Sequence, residues 1–109
     1  GGPGPCQVTY SIVNQWSGGF QAEVQVANTG TTTINGWALV WTFPNGQQIS
    51  QIWSATQTTS GSTVTARNVD YNGTIAPGDS TSFGFLGSWA GSNDEPNAFT
   101  LNGAACGVA

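Results

Sequence analysis

The sequence predicts an all-β protein, an antiparallel β-sandwich of the immunoglobulin-like or jelly-roll type. Apolar and polar residues alternate over several short stretches, which is the period of a half-buried strand. Gly, Asn and Pro residues separate these stretches at regular intervals, as in folds made of two packed sheets. Strong helix formers are scarce, because Met and Lys are absent and 16 glycines interrupt any helical window.

The individual strands follow from this alternation. It is clearest at residues 6–12, 20–26 and 37–43. Further segments rich in Thr, Val, Ile and Phe are also predicted to be strands, at residues 50–54, 62–69, 80–86 and 97–101. Turn signals fall between the strands, at residues 28–30, 35–36, 44–46, 72–73 and 76–79. The opening Gly-Gly-Pro-Gly-Pro, residues 1–5, is predicted to be a linker stub, which leaves residues 6–109 as one sandwich domain.

Length and charge exclude several functions. A chain of 109 residues is long enough for one compact core. Its formal charge is −4 and Arg67 is its only cation, so nucleic acid and anionic membrane surfaces are not expected partners. No stretch reaches the roughly 18 apolar residues that a membrane span needs. Without His and with only two Cys, the chain predicts no zinc or copper site and no cofactor. A calcium site at Asp94 and Glu95 is an alternative that the sequence leaves open.

The two cysteines lie near opposite ends of the chain, too far apart for a CxxC motif. Cys6 and Cys106 are therefore predicted to form a disulfide between the termini. Disulfides persist mainly outside the cytosol, so the prediction places the protein outside the cell, as a secreted protein. The alternative is a cytosolic protein with two reduced, buried cysteines.

The aromatic residues divide into two groups. Trp37 and Trp41 share one face of a predicted strand with other apolar residues and are predicted to be core. Trp16, Trp53 and Tyr71 instead have polar, Gly or turn neighbours and are predicted to be exposed. Exposed rings that cluster mark a binding surface. A β-linked glucose ring presents an apolar plate of axial C–H groups that stacks on such rings, while its equatorial hydroxyls reach side-chain amides.

Several motifs carry a resemblance to a known family: Val13-Asn14-Gln15-Trp16, Asn35-Gly36-Trp37, Gln51-Ile52-Trp53-Ser54, Tyr71-Asn72-Gly73 and Phe83-Gly84-Phe85. Over nearly its whole length the sequence resembles the family 2 carbohydrate-binding modules of bacterial cellulases and xylanases. The resemblance implies three coplanar surface aromatics, which map onto Trp16, Trp53 and Tyr71. It also implies that Asn14 and Gln51 form hydrogen bonds with the sugar.

The sequence departs from the family pattern at some positions. The third aromatic is commonly Trp where this chain has Tyr. Family members often carry amides where Glu23, Ser82 and Leu86 stand. In xylan-binding relatives an Arg three residues after the first aromatic turns that ring away from the sheet. Gly19 occupies this position and implies a flat Trp16 and the crystalline-cellulose branch.

The sequence thus predicts a non-catalytic, monomeric module that adsorbs to crystalline cellulose and targets a covalently linked polysaccharide-degrading catalytic domain to its substrate. Two alternatives stay open: a chitin-binding module of the same family, and an adhesin-like structural sandwich domain. A catalytic carboxylate pair is disfavoured, because adjacent Asp94 and Glu95 would diverge on an extended strand.

Two further positions carry expectations. Asn72-Gly73-Thr74 is an N-glycosylation sequon, and a glycan on Asn72 is expected to stand beside the Tyr71 ring and obstruct contact with a flat surface. Trp89 either extends the aromatic face or covers the edge of the core.

Overall fold

A computed structural model describes residues 6–108 of the protein. The predicted linker stub at residues 1–5 lies outside the described residues, as does Ala109, so the domain boundaries stay predictions. The regular structure of the described part consists of these strands: β1 Cys6–Trp16, β2 Gly19–Asn28, β3 Ile34–Asn35, β4 Ala38–Thr42, β5 Gln48–Trp53, β6 Ala55–Ser60, β7 Thr63–Asn68, β8 Thr74–Ile75, β9 Ser80–Ser88, β10 Thr100–Leu101, β11 Ala104–Ala105 and β12 Gly107–Val108.

The strands form two five-stranded sheets, which confirms the predicted sandwich. The first sheet has the order β12-β1-β2-β9-β5 and the second the order β11-β10-β4-β7-β6, while β3 pairs with β8 separately. Neighbouring strands are antiparallel, apart from the parallel pairing of β1 with β12 at one edge of the first sheet.

The predicted strand positions hold for the long strands and fail at the sheet edges. Strand β6 was not predicted, because its sequence Ala-Thr-Gln-Thr-Thr-Ser has no apolar alternation and it lies at the edge of the second sheet. The strand predicted at residues 97–101 is confined to Thr100–Leu101. The two-residue strands β3, β8, β10 and β12 pair with segments that are distant in sequence, which local periodicity does not reveal.

The core lies between the two sheets and is rich in aromatic rings. Trp37 and Trp41 are each 2% exposed, which confirms both as core residues. The Trp41 ring lies 5.8 Å from Phe99 and 6.0 Å from Phe85, measured between centroids. Aromatic pairs at this separation stabilise the core beyond the area that they bury.

Two polar atoms are buried in this core without a hydrogen-bond partner among residues 6–108, the Tyr10 hydroxyl and the Trp41 indole nitrogen. Burial raises the pKa of the Tyr10 phenol, and the negative charge of Glu95 raises it further. Tyr10 therefore stays protonated, and it serves the core as an aromatic ring.

Cys6 and Cys106 are joined, which confirms the predicted disulfide. The bond ties the start of β1 to the residue before β12, with the two α carbons 4.8 Å apart. Both ends of the domain are thereby fixed at one edge of the first sheet. The opposite edge of that sheet is β5, which ends at Trp53.

Candidate functional site

Strand pairing arranges the outward-facing residues of the first sheet in rows across β1, β2, β9 and β5. One row consists of Asn14, Gln21, Leu86 and Gln51. The row on one side of it contains Trp16, Gly19, Ser88 and Gln48, and the row on the other side contains Ser11, Glu23, Gly84 and Trp53. A band of three amides and one leucine therefore separates the two tryptophans.

Trp16 is the last residue of β1, and it is 44% exposed. Its indole lies directly against the backbone of Gly19, its cross-strand partner. A Cβ atom added to Gly19 would come within 2.3 Å of the indole nitrogen, so a larger residue there would displace the ring. The space left by Gly19 is what allows the Trp16 indole to lie close to the sheet.

Trp53 has the same arrangement. We refer to Trp16, Trp53 and Tyr71 together as the aromatic strip. It is the last residue of β5, is 39% exposed and pairs with Gly84 on β9. A Cβ atom on Gly84 would lie 2.5–2.6 Å from three indole atoms. The indoles of both tryptophans therefore lie over a glycine of the sheet. Both are strand residues: Trp53 lies within a predicted strand, whereas Trp16 lies beyond the strand predicted at residues 6–12.

Tyr71 lies in the turn between β7 and β8 and is 77% exposed. Its hydroxyl donates a hydrogen bond of 3.1 Å to Ser54 Oγ, so the phenol is held beside the residue that follows Trp53. Ser54 itself has a left-handed backbone with φ of 63°. A non-glycine residue in this conformation carries strain, which is found where the surrounding structure fixes a functional position.

The turn that carries Tyr71 is held by the side chain of Asn72. The Asn72 amide nitrogen donates to the Ser54 carbonyl at 2.6 Å, and its Oδ1 accepts from the Val69 N–H at 2.9 Å. Asn72 is 8% exposed. The expectation that a glycan on Asn72 stands beside Tyr71 is therefore wrong, because in the folded protein the nitrogen that would carry it is buried and hydrogen-bonded.

Trp89, which the sequence left open, lies against the edge of the core and is half-buried. Its indole nitrogen donates to the carbonyl oxygens of Trp16 and Gly19, at 3.0 Å each. Its backbone N–H also donates to the Gly18 carbonyl at 3.3 Å. Trp89 thus supports the β1–β2 turn on which Trp16 is mounted.

The amides between the tryptophans have unused hydrogen-bonding groups. Asn14 Oδ1 accepts from the Gln15 N–H at 3.0 Å, which leaves the Asn14 amino group without a partner among the described residues. Gln51 is exposed on the same row. The sequence analysis missed Gln21, which lies between Asn14 and Leu86; the signal was its position one residue after the inward-facing Phe20.

The site is almost uncharged. Glu23 is the one residue of the described strands β1, β2, β9 and β5 with a charged side chain at neutral pH. Arg67 lies on β7 of the other sheet, where its guanidinium donates to Thr58 Oγ1.

Within residues 6–108 no three Cys, Asp or Glu side chains come close enough to hold a metal ion. The same residues contain no helix long and apolar enough to cross a membrane.

Comparison with known proteins places this geometry in a family. Residues 6–106 match the family described as "Cellulose binding domain". The chain is 54% identical over 103 residues to Exoglucanase B of Cellulomonas fimi, which covers 94% of this chain and 9% of the exoglucanase. It therefore spans only a small part of the length of that relative.

Two solved structures have the same fold. The chitin-binding domain of Chi18aC from Streptomyces coelicolor has a TM-score of 0.74 and 44% identity, with 93% of each chain covered. The cellulose-binding family 2 carbohydrate binding domain from ScLPMO10C has a TM-score of 0.69 and 41% identity, with 85% of this chain and 92% of the other covered.

Proposed function

The chain belongs to the cellulose-binding domain family, the family 2 carbohydrate-binding modules, and on that premise we propose that Trp16, Trp53 and Tyr71 are the surface with which it adsorbs to crystalline cellulose. Members of this family are non-catalytic modules. In this proposal Asn14 and Gln51 form hydrogen bonds with the sugar hydroxyls, and Gln21 adds a third amide to the same row.

One observation carries the proposal: the indole of each tryptophan lies directly over a glycine of the sheet, with no side chain beneath it. Both indoles are also exposed, at 44% and 39%, and in this proposal the exposed face of each ring is the one that contacts the polymer. A β-1,4-linked glucan in a crystal presents flat plates of axial C–H groups, and a surface of this kind binds rings that lie parallel to the sheet. Twisted or perpendicular rings would meet only one sugar at a time.

The polar groups fit the same ligand. A stacked glucose directs its hydroxyls sideways, in the plane of the sugar ring. The amides of Asn14, Gln21 and Gln51 lie in the row between the two tryptophans and supply donors and acceptors for these hydroxyls. Leu86 interrupts the row, and the neighbouring Gln21 compensates for the amide that family members often carry there.

Chitin is the second candidate, and the structural match to the chitin-binding domain of Chi18aC favours it. N-acetylglucosamine polymers have the same apolar plates as cellulose. Cellulose remains the first proposal because the family that residues 6–106 match is described as a cellulose binding domain.

We further propose that the module acts as a monomer, outside the cell, as part of a longer polysaccharide-degrading enzyme. The short span of the exoglucanase that it covers supports attachment to a catalytic domain. The disulfide fixes both ends of the domain at the β12–β1 edge of the first sheet, whereas Trp53 lies at the β5 edge. A linked domain can therefore be attached without covering the whole strip.

A pull-down with microcrystalline cellulose, chitin and xylan tests the proposal. The wild-type chain is expected to bind cellulose most, chitin less and xylan least. Retention by chitin alone would favour the second candidate. Absence of binding to every polymer by a folded protein would contradict both candidates and favour an adhesin-like domain.

A further inference from the structure

We propose that Glu23 and Trp53 together form a subsite for a positively charged amino sugar, so that the module also binds partially deacetylated chitin through its glucosamine units. This inference rests on the proposed function in one respect, since the polymer is taken to lie on the same aromatic strip. It differs in the ligand class, because cellulose and fully acetylated chitin are uncharged.

The strand register places Glu23 opposite the glycine that lies under the Trp53 indole. Glu23 on β2 pairs with Gly84 on β9, and Gly84 in turn pairs with Trp53 on β5 and lies under its indole. Glu23 and Trp53 line one surface depression together with Ser54 and Ser82. The carboxylate is exposed beside an exposed aromatic ring.

Among residues 6–108 no cation lies beside this carboxylate. Glu23 also lines a second depression, whose other residues are Thr9, Ser11, Gln25 and Ser82, all hydroxyls and amides. The only cation of the described residues, Arg67, belongs to the other sheet. An unpaired carboxylate beside an indole suits an ammonium group, which gains a charge-assisted hydrogen bond from the first and a cation–π contact from the second.

The stereochemistry of the polymer directs the amino group to this position. In β-1,4-linked glucose and glucosamine the substituent at C2 is equatorial, so it leaves the ring sideways when the sugar stacks on Trp53. In this proposal it then enters the depression that Trp53 and Glu23 line together. A hydroxyl or an N-acetyl group at C2 is a neutral donor to the carboxylate, whereas an ammonium group also forms an ion pair with it. Glu23 thus discriminates by charge.

Adsorption isotherms on chitosan and on the same chitosan after chemical reacetylation test the proposal, at low salt and mildly acidic pH where the amines are charged. The reacetylated sample keeps the polymer and removes the charge. Glu23→Gln is expected to lower the affinity for chitosan about two- to fivefold, the range of an exposed ion pair. Its affinity for cellulose and for the reacetylated polymer should be unchanged. Added salt should weaken the difference on chitosan.

The control is Glu95→Gln, which removes the same charge in the segment between β9 and β10. It should leave the affinity for chitosan near the wild-type value. Equal losses in the two variants would overturn the proposal, because they would reveal a general attraction between an acidic chain and a cationic polymer. A parallel loss on cellulose in Glu23→Gln would overturn it as well, since Glu23 would then accept from neutral hydroxyls. If wild-type protein bound chitosan but not cellulose, the proposed function would fail while this inference stood.

Discussion

At the scale of single residues, the orientation of each tryptophan depends on a residue that has no side chain. A Cβ atom added to Gly19 or Gly84 would overlap the indole that lies over that glycine. The resemblance to the family identified Gly19 for this reason. It could not identify Gly84, because that glycine becomes a support for Trp53 only through the pairing of β5 with β9.

Gly84→Ala tests this support. The added methyl group would lie 2.5–2.6 Å from three indole atoms, so the Trp53 ring must tilt away from the sheet. We expect the affinity for crystalline cellulose to fall several-fold while the melting temperature changes little. Ser82→Ala, on the same strand and face but under no ring, is the control. An unchanged isotherm for Gly84→Ala would show that the contact between Gly84 and the indole does not set the orientation in which Trp53 binds cellulose.

Tyr10 offers a prediction about stability. Its hydroxyl is buried without a hydrogen-bond partner among the described residues, and burial, followed by the Glu95 charge, raises its pKa. Tyr10→Phe should leave the free energy of unfolding unchanged or raise it by about 1 kcal/mol, because it removes an unpaired buried polar group. Denaturant unfolding at neutral pH measures this. A loss of more than about 1 kcal/mol would mean that the hydroxyl has a partner after all.

Tyr10 also predicts how the free energy of unfolding changes at alkaline pH. The folded state favours the neutral Tyr10 phenol. The stability that this preference contributes is complete below the unfolded tyrosine pKa of about 10 and declines as the pH rises above it. Wild-type protein should therefore lose stability above about pH 10, and Tyr10→Phe should lose less.

At the scale of elements, the strip depends on two turns that bring separate strands together. Trp89 holds the β1–β2 turn below Trp16, and Asn72 ties the turn of Tyr71 to the strand end at Ser54. Neither role is visible in the sequence. Asn72 precedes a glycine and predicts a turn, which is correct, but the sequence does not show that Asn72 also forms hydrogen bonds with Ser54 and Trp37, which lie 18 and 35 positions away.

Asn72→Asp tests the coupling between these turns. The substitution keeps the oxygen that accepts from Val69 and replaces the amino group with a carboxylate oxygen, which would face the Ser54 carbonyl at 2.6 Å. We expect a loss of about 1 to 3 kcal/mol of stability, together with weaker adsorption to cellulose because Tyr71 is released. The exposed Asn97→Asp is the control for the added charge. Full stability in Asn72→Asp would contradict the assigned role.

Prediction of elements from the sequence succeeded where one face of a strand is buried. The alternation of Phe20, Ala22, Val24 and Val26 identifies β2 because these residues enter the core. It fails for β6, whose side chains are mainly exposed, and for β12, whose pairing with β1 depends on the disulfide beside it.

At the scale of the whole molecule, the composition and the site agree. The fold, the core tryptophans and the disulfide could be predicted, since each depends on patterns within the sequence. The candidate site could be predicted only in its exposed rings and, by resemblance, in Asn14 and Gln51. Gln21 and the depression beside Glu23 arise from the register of four strands, which no single segment specifies.

The low charge of the molecule predicts how cellulose binding responds to salt. Rings and neutral amides release few counterions when they bind an uncharged polymer. The cellulose isotherm should therefore hardly change between low and high sodium chloride. Sulfate should not weaken binding, because it favours the burial of apolar surface. A marked loss in sodium chloride would mean that an acidic residue carries the contact with cellulose.

The most direct test of the central claim, that the aromatic strip binds cellulose, is the adsorption isotherm of Trp53→Ala on crystalline cellulose, with thermal unfolding of the same sample. Trp53 is exposed at the end of a strand, so its removal should weaken binding at least several-fold while the melting temperature stays close to that of the wild type. Trp41→Ala, which removes a buried ring, should instead lower the melting temperature strongly. Wild-type adsorption by a folded Trp53→Ala protein would contradict the account.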